Sequence, residues 1–215
     1  MLLTNEDNMN LMARYSDNYF DLAIVDPPYG IGIDKHINSN KGINGYKIYR
    51  NTNWDNKPPN NVYFDELFRV SKNQIIWGGN YFINHIKTPS KCWLIWNKIQ
   101  RNFSMADAEL AYTSFKKSVR YFDYARGSAL SNNKKNGGRI HPTQKPVQLY
   151  EWILTRYANK GDKILDTHLG SGSIAIACYN LGFQLTACEI DTEYYKDALK
   201  RLELHKKQLI LFNNK

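Results

Sequence analysis

The chain is poor in cysteine: three in 215 residues, at Cys92, Cys178 and Cys188. An odd number, widely spaced, excludes a disulfide framework, and no two stand at the spacing of metal ligands. Each lies in an apolar run that reads as strand or helix, which fits buried free thiols of a reducing compartment. Long hydrophobic runs are lacking as well, and none approaches the ~20 apolar residues of a membrane span. The opening Met1-Leu-Leu-Thr-Asn-Glu-Asp7 has no basic region ahead of an apolar core, so it does not read as a signal peptide. The expected location is the cytoplasm. Negative charge is the other shortage: 20 acidic against 29 basic side chains leave a formal charge of +9. That balance favours a polyanionic partner such as nucleic acid, although a chain rich in Lys, Asn, Ile and Tyr throughout also reads as compositional bias.

What is present supports a sizeable core. Hydrophobic residues make up 42% and aromatics 13% of the chain, enough for a single domain over 1–215. Strands are expected at 1–4, 22–25, 74–77, 92–96, 108–113, 163–166 and 183–189. Helices are expected at 8–14, 62–70, 81–86, 147–157, 173–181 and 192–207. The closing Leu209-Ile210-Leu211-Phe212 extends the last helix or adds an edge, and Lys200, Arg201, Lys206 and Lys207 belong to that helix's solvated face. The alternation predicts βαβ units, and hence an α/β fold whose mostly parallel sheet carries an antiparallel edge strand.

Three stretches carry chemistry. Asp26-Pro27-Pro28-Tyr29 follows the apolar run Leu22-Ala23-Ile24-Val25. Two prolines fix φ and remove two backbone donors, which leaves a stiff ledge at the end of a strand. In open α/β sheets that is where ligands bind. A planar substrate bearing an amine suits the ledge: the Asp26 carboxylate and Pro27 carbonyl accept its hydrogens, and Tyr29 stacks on its ring. The bland alternative is an ordinary Pro-Pro turn with a chance acid. His141-Pro142-Thr143-Gln144-Lys145-Pro146 leads into an amphipathic helix, and Pro146 suits its first turn. With no second His or Cys in register, His141 reads as a structural cap.

The third stretch is Asp166-Thr167-His168-Leu169-Gly170-Ser171-Gly172, between a strand and a helix. Its glycines let a ligand approach the backbone, and Glu189, ending the next strand, can bridge the two hydroxyls of a ribose. Read alone, this half also satisfies a dinucleotide fingerprint, so a nicotinamide-dependent oxidoreductase is a rival. Against it, only one further βα unit follows, and a dehydrogenase has no use for the Pro-Pro ledge.

In this order the three stretches resemble the β class of amino-methylating DNA methyltransferases, whose adenine-specific members carry Asp-Pro-Pro-Tyr. The resemblance runs from about Leu2 to about Glu203. It implies a Rossmann-like methyltransferase domain with circularly permuted motif order: a catalytic half at 1–117, a short target-recognition segment at 118–140 and a cofactor half at 141–215. S-adenosylmethionine (SAM) is the implied cofactor, and the implied reaction methylates the N6 amine of adenine in DNA after the base is flipped out. Asp26, Pro27, Pro28 and Tyr29 become the catalytic residues. The cofactor contacts become Asp7, Asp26, Thr143, Lys145, Asp166, His168, Gly170, Ser171, Gly172 and Glu189. Asp7 would face the cofactor's adenine, with a helix N-cap as its other reading. Thr143 and Lys145 would lie against the methionine part.

The family's loop begins Asp-Pro-Phe where this chain has Asp166-Thr167-His168. A His ring therefore stands in place of an apolar wall, packing there as a neutral group or lowering affinity. Cytosine-N4 methylation is the alternative within the class, and an inactive DNA-binding subunit a more distant one. The expected partners are double-stranded DNA, a second copy of the chain and a cognate restriction endonuclease. Lys35, Lys41, Lys47 and Arg50, interleaved with aromatics in the irregular 30–61 region, suit phosphate contacts and base stacking in a DNA-facing loop. A solvated loop is the competing reading. Lys134, Lys135 and Arg139 close the polar 118–140 stretch, which reads as a recognition segment or a linker.

Overall fold

The run ahead of the Pro-Pro turn forms the middle of the sheet. In this computed structural model, which describes residues 1–32, 55–100, 106–125, 128, 140–141 and 143–213, strand β2 (Phe20–Val25) has parallel neighbours on both sides. Its side chains alternate between two cores, as a period of two requires: Leu22 and Ile24 enter one, Ala23 and Val25 the other. The remaining strands are β1 (Leu2–Thr4), β3 (Ser71–Trp77), β4 (Trp93–Asn97), β5 (Ala108–Thr113), β6 (Arg120–Asp123), β7 (Lys163–Asp166) and β8 (Gln184–Cys188). They form one sheet in the order β1-β8-β7-β2-β3-β5-β4-β6. β1, β8, β7, β2 and β3 run parallel, so their carboxyl ends open on the same edge.

Helices cover both faces. α1 (Asn8–Met12) and α2 (Asn61–Val70) bury Leu11, Met12, Phe64 and Leu67 against one face. α3 (Val147–Tyr157), α4 (Ser173–Leu181) and α5 (Thr192–Asn213) bury Ile153, Ala177 and Leu202 against the other. Fully burying a side chain the size of Leu is worth roughly 1.5–3 kcal/mol. Local signals set the helix ends. The Asn60 side chain accepts from Tyr63 N at 3.2 Å to cap α2, and Pro146 precedes α3. Gly172 and Gly182, both left-handed, bound α4. A Cβ on Gly172 would come within 3.1 Å of the Ala198 Cβ, so the start of α4 lies tightly on α5.

Several elements differ from expectation. The antiparallel strand is β5, which runs against both β3 and β4 and lies inside the sheet. The margin is β6, parallel to β4 and hidden within the polar 118–140 stretch. Its side chains are largely exposed, so no apolar alternation marks it. No helix forms over 81–86. The segment after the left-handed Gly78 makes a 3₁₀ turn, Gly79–Tyr81, and then single turns closed by Phe82 O. Between Gly78 and Pro89 too little chain remains to offset helix nucleation. α5 continues through 209–212, and Arg201 is buried, 1% exposed, rather than solvated. All three cysteines are free and buried. Among the described residues no helix is long and apolar enough to cross a membrane.

Candidate active site

The carboxyl ends of the parallel strands frame a cavity of about 1040 Å³. That is the top of the ~300–1,000 Å³ range for small-molecule pockets, so it has room for more than one planar group. Every parallel strand contributes to its wall: Asp7 and Asn8 after β1, the ledge after β2, Gly78 after β3, Thr167 to Ser171 after β7, and Glu189 with Ile190 after β8.

At one end the ledge presents Asp26 to two donors. The Tyr29 hydroxyl donates to Asp26 Oδ1 at 2.8 Å, and the Lys145 ammonium donates to Oδ2. Lys145 also meets Glu109 Oε2 at 3.1 Å, and Lys98 meets Glu109 Oε1 at 2.8 Å. Positive and negative groups thus alternate from Lys98 through Glu109 and Lys145 to Asp26. The Tyr29 ring stacks on Tyr81 with centroids 5.0 Å apart and planes 18° apart. It also fills the space beside Gly78, where a Cβ would stand 2.2 Å from Tyr29 Cε1. Position 78 therefore accepts only glycine while the ring stays where it is.

Burial pushes the Asp26 carboxyl above the ordinary range, while the Lys145 ammonium draws it back down. Burial works against the charge of Lys145 too, but the Asp26 and Glu109 carboxylates outweigh it and hold the ammonium above its usual pKa. For Glu109 burial is likewise outweighed, by Lys145 and Lys98, which bring its carboxyl down to about 2. The Tyr29 hydroxyl is raised by burial and by Asp26, so it acts as a donor.

The other end is built on the loop after β7. Glu189 Oε2 accepts from Gly170 N at 2.8 Å and Oε1 from Asp191 N at 3.0 Å, and burial raises its carboxyl pKa. Gly170 is left-handed, and the nearest atom to a Cβ built there is 3.8 Å away. Ile190, 69% exposed, supplies apolar surface alongside. Beneath the loop, Arg201 donates to Ser171 O at 2.7 Å and Ser173 Oγ at 2.9 Å, and its burial lowers its pKa to about 10. The ring of His168 is a neutral group. Burial takes its pKa down to about 3, Thr167 Oγ1 lies 2.9 Å from its Nδ1, and Asn8 Nδ2 lies 3.1 Å from its Nε2. Tyr63 completes the chain, with its hydroxyl 2.7 Å from Thr167 Oγ1.

Most of the sequence-predicted residues meet at this cavity: Asp7, Asp26, Pro27, Pro28, Tyr29, Thr143, Lys145, His168, Gly170, Ser171 and Glu189 all line it. Asp7 also caps α1, accepting from Met9 N at 2.8 Å. His141 Nδ1 accepts from Thr143 N at 3.3 Å, a cap on its own turn. Lys145, expected at the methionine part of a cofactor, has its ammonium on Asp26 and Glu109. Asp166 and Gly172 support the wall from behind. Asp166 accepts from His168 N at 3.0 Å, with a carboxyl pushed up to about 8 by burial, and Gly172 packs on Ala198. Lys35, Lys41, Lys47, Arg50, Lys134, Lys135 and Arg139 lie outside the described residues.

Sequence reasoning missed Glu109, Lys98, Tyr81, Asn8 and Arg201. Glu109 did leave a signal, a charge inside an apolar strand, because such a group must be paired when buried.

The fold is that of the SAM-dependent methyltransferases. It matches the crystal structure of the M1.HpyAVI–SAM complex with a TM-score of 0.61 at 19% identity, over 94% of this chain and 99% of that one. The cytosine-N4-specific PvuII DNA methyltransferase matches with a TM-score of 0.59 at 12% identity, over 93% and 85% of the two chains. The DNA methylase family model for N6 and N4 enzymes matches residues 48–200, and the chain belongs to that family. In sequence it is similar to the type II methyltransferase M.HpaI of Haemophilus parainfluenzae, 27% identical over 89% of this chain and 71% of that protein.

Proposed function

We propose that the protein transfers a methyl group from SAM to the exocyclic N6 amine of adenine in DNA, acting on a nucleotide swung out of the duplex. The observation that carries this reading is the Asp26 carboxylate on its Pro-Pro ledge, in one cavity with the Glu189 carboxylate and the open backbone at Gly170. The residues present fit the cofactor. Glu189 keeps acceptor capacity toward the ribose hydroxyls beyond its backbone bonds, Gly170 lets a ligand approach, and Ile190 offers an apolar face to a purine. Asp7 and Thr143 complete that end. When bound, SAM supplies an electrophilic methyl group.

The rest is done by the chain's own groups. The target amine is a poor nucleophile because its lone pair is delocalised into the ring. Asp26 and the Pro27 carbonyl hold its hydrogens, localise the lone pair and stabilise the positive charge growing on nitrogen. The Tyr29 ring takes the base in a stack worth ~1–3 kcal/mol. Fixing both reactants in one cavity supplies the orientation. The Asp at the head of the ledge supports adenine. The second reading, cytosine N4, is supported by the likeness of fold to the PvuII enzyme. DNA contacts by the basic residues of 30–61 and 118–140, homodimer formation and a companion restriction endonuclease belong to the same proposal and are carried by sequence and family alone. The test of the site is Asp26→Ala, which is expected to abolish methyl transfer while SAM binding stays measurable. Full activity in that variant overturns the mechanism.

A further inference from the structure

Asp26 is contested. Its Oδ1 is taken by the Tyr29 hydroxyl and its Oδ2 by the Lys145 ammonium. A lysine held on a carboxylate neutralises the acceptor charge that an incoming amine requires. Lys145 itself is buried, with its ammonium 5.3 Å from the Trp77 ring centroid and 5.9 Å from that of Tyr29. Among the described residues its ion-pair partners are Asp26 and Glu109. Glu109 projects from β5 across the cavity at 3.1 Å, and Lys98 fixes its other oxygen at 2.8 Å. Lys98 thus anchors Glu109 from the far side and leaves its Oε2 facing Lys145.

We propose that Glu109 is a positioning residue for methyl transfer: it is the second seat of the Lys145 ammonium, drawing that charge away as the target amine takes Asp26. The inference rests on the reading of Asp26 as the amine's acceptor. Both seats are already within reach of the ammonium, so the exchange needs only a small rotation of a flexible lysine stem. No charge moves into or out of the cavity, because the ammonium stays paired throughout. Without Glu109 the ammonium would settle on Asp26 alone, and the base amine would have to displace it.

The test is single-turnover methyl transfer to mixed-sequence duplex DNA at saturating SAM. Wild type, Glu109→Gln, Glu109→Asp, the double variant Glu109→Gln/Lys145→Gln, and Asp26→Asn are compared, with SAM dissociation constants measured alongside. Glu109→Gln is expected to slow the reaction roughly 10–100-fold, the size of one hydrogen bond to a charged group, with SAM affinity unchanged. Adding Lys145→Gln should restore part of the lost rate, because no ammonium then competes with the base amine for Asp26. A wild-type rate in Glu109→Gln overturns the inference. So does a loss that is deepened by Lys145→Gln, which is the behaviour of a merely structural pair. If Glu109→Gln does not fold, Glu109→Asp decides, because its charge is kept but falls short of Lys145. A loss in that variant, relieved by Lys145→Gln, supports the second seat, and an unchanged rate refutes it. Asp26→Asn separates the layers. If it is inactive while Glu109→Gln runs at the wild-type rate, only the second seat falls. If Asp26→Asn is itself active, the reading beneath falls as well.

Discussion

Replacing Gly78 by alanine puts the placement of Tyr29 to a direct test. Gly78 has a φ of +69°, and a Cβ there would stand 2.2 Å from Tyr29 Cε1 and 2.6 Å from Cδ1. Carbon atoms pack at ~3.5–4.0 Å, so the ring has to retreat by roughly an ångström or more. It cannot then keep both the 2.8 Å bond to Asp26 and the 5.0 Å stack on Tyr81. Two losses follow, and they separate in experiment. The left-handed backbone costs a residue with a Cβ about 1–2 kcal/mol. In a domain of this size that lowers the melting temperature by roughly 2–8 °C. Displacing the ring removes base stacking worth ~1–3 kcal/mol, which is a fall of about 5–150-fold in kcat/KM. SAM affinity should hold, because Glu189 and Gly170 lie at the other end of the cavity. Steady-state methyl transfer to duplex DNA, a thermal melt and SAM titration measure the three quantities. A folded Gly78→Ala protein with wild-type kcat/KM would refute the position assigned to Tyr29.

Two further perturbations address the cofactor end. Glu189→Ala removes the proposed ribose acceptor and the anchor of Gly170 N, and it should weaken SAM binding roughly 10–100-fold; an unchanged dissociation constant moves the ribose site elsewhere. His168 gives a pH signature. Its pKa is lowered from 6.5 to about 3 in the folded chain, so between those values the unfolded chain binds the extra proton. Its contribution to stability is therefore complete above 6.5 and is lost as pH falls towards about 3. His168→Phe should flatten that acid limb in urea melts, while costing about 1 kcal/mol near neutrality through the partners lost by Asn8 and Thr167. Equal acid slopes in the two proteins would refute the assignment.

The site was legible where chemistry is local. Two prolines can only make a rigid turn, and a glycine loop between strand and helix can only invite close approach, so the ledge and the loop after β7 stood out by residue type. Glu189 followed from its place at a strand end. What the sequence concealed depends on contacts distant along the chain. The family motif marked Lys145 as a cofactor contact, and only the meeting of β2, β5 and the start of α3 puts its ammonium between Asp26 and Glu109. Arg201 sits beside Lys200 in a basic helix, yet it lies seven residues after the buried Tyr194 and on the same face. That spacing was the available signal, and the docking of the loop after β7 on α5 explains why a guanidinium is tolerated there. β6 carries exposed side chains and is held by backbone pairing to β4, which leaves no trace in hydrophobic periodicity.

The central claim is that this cavity methylates the exocyclic amine of adenine. Nucleoside mass spectrometry of mixed-sequence duplex DNA, incubated with the protein and SAM, tests it most directly. The account predicts N6-methyladenine with the wild-type chain and none with Asp26→Ala. N4-methylcytosine as the product would contradict the base assignment, and no methylated base from a protein that binds SAM would contradict the claim itself.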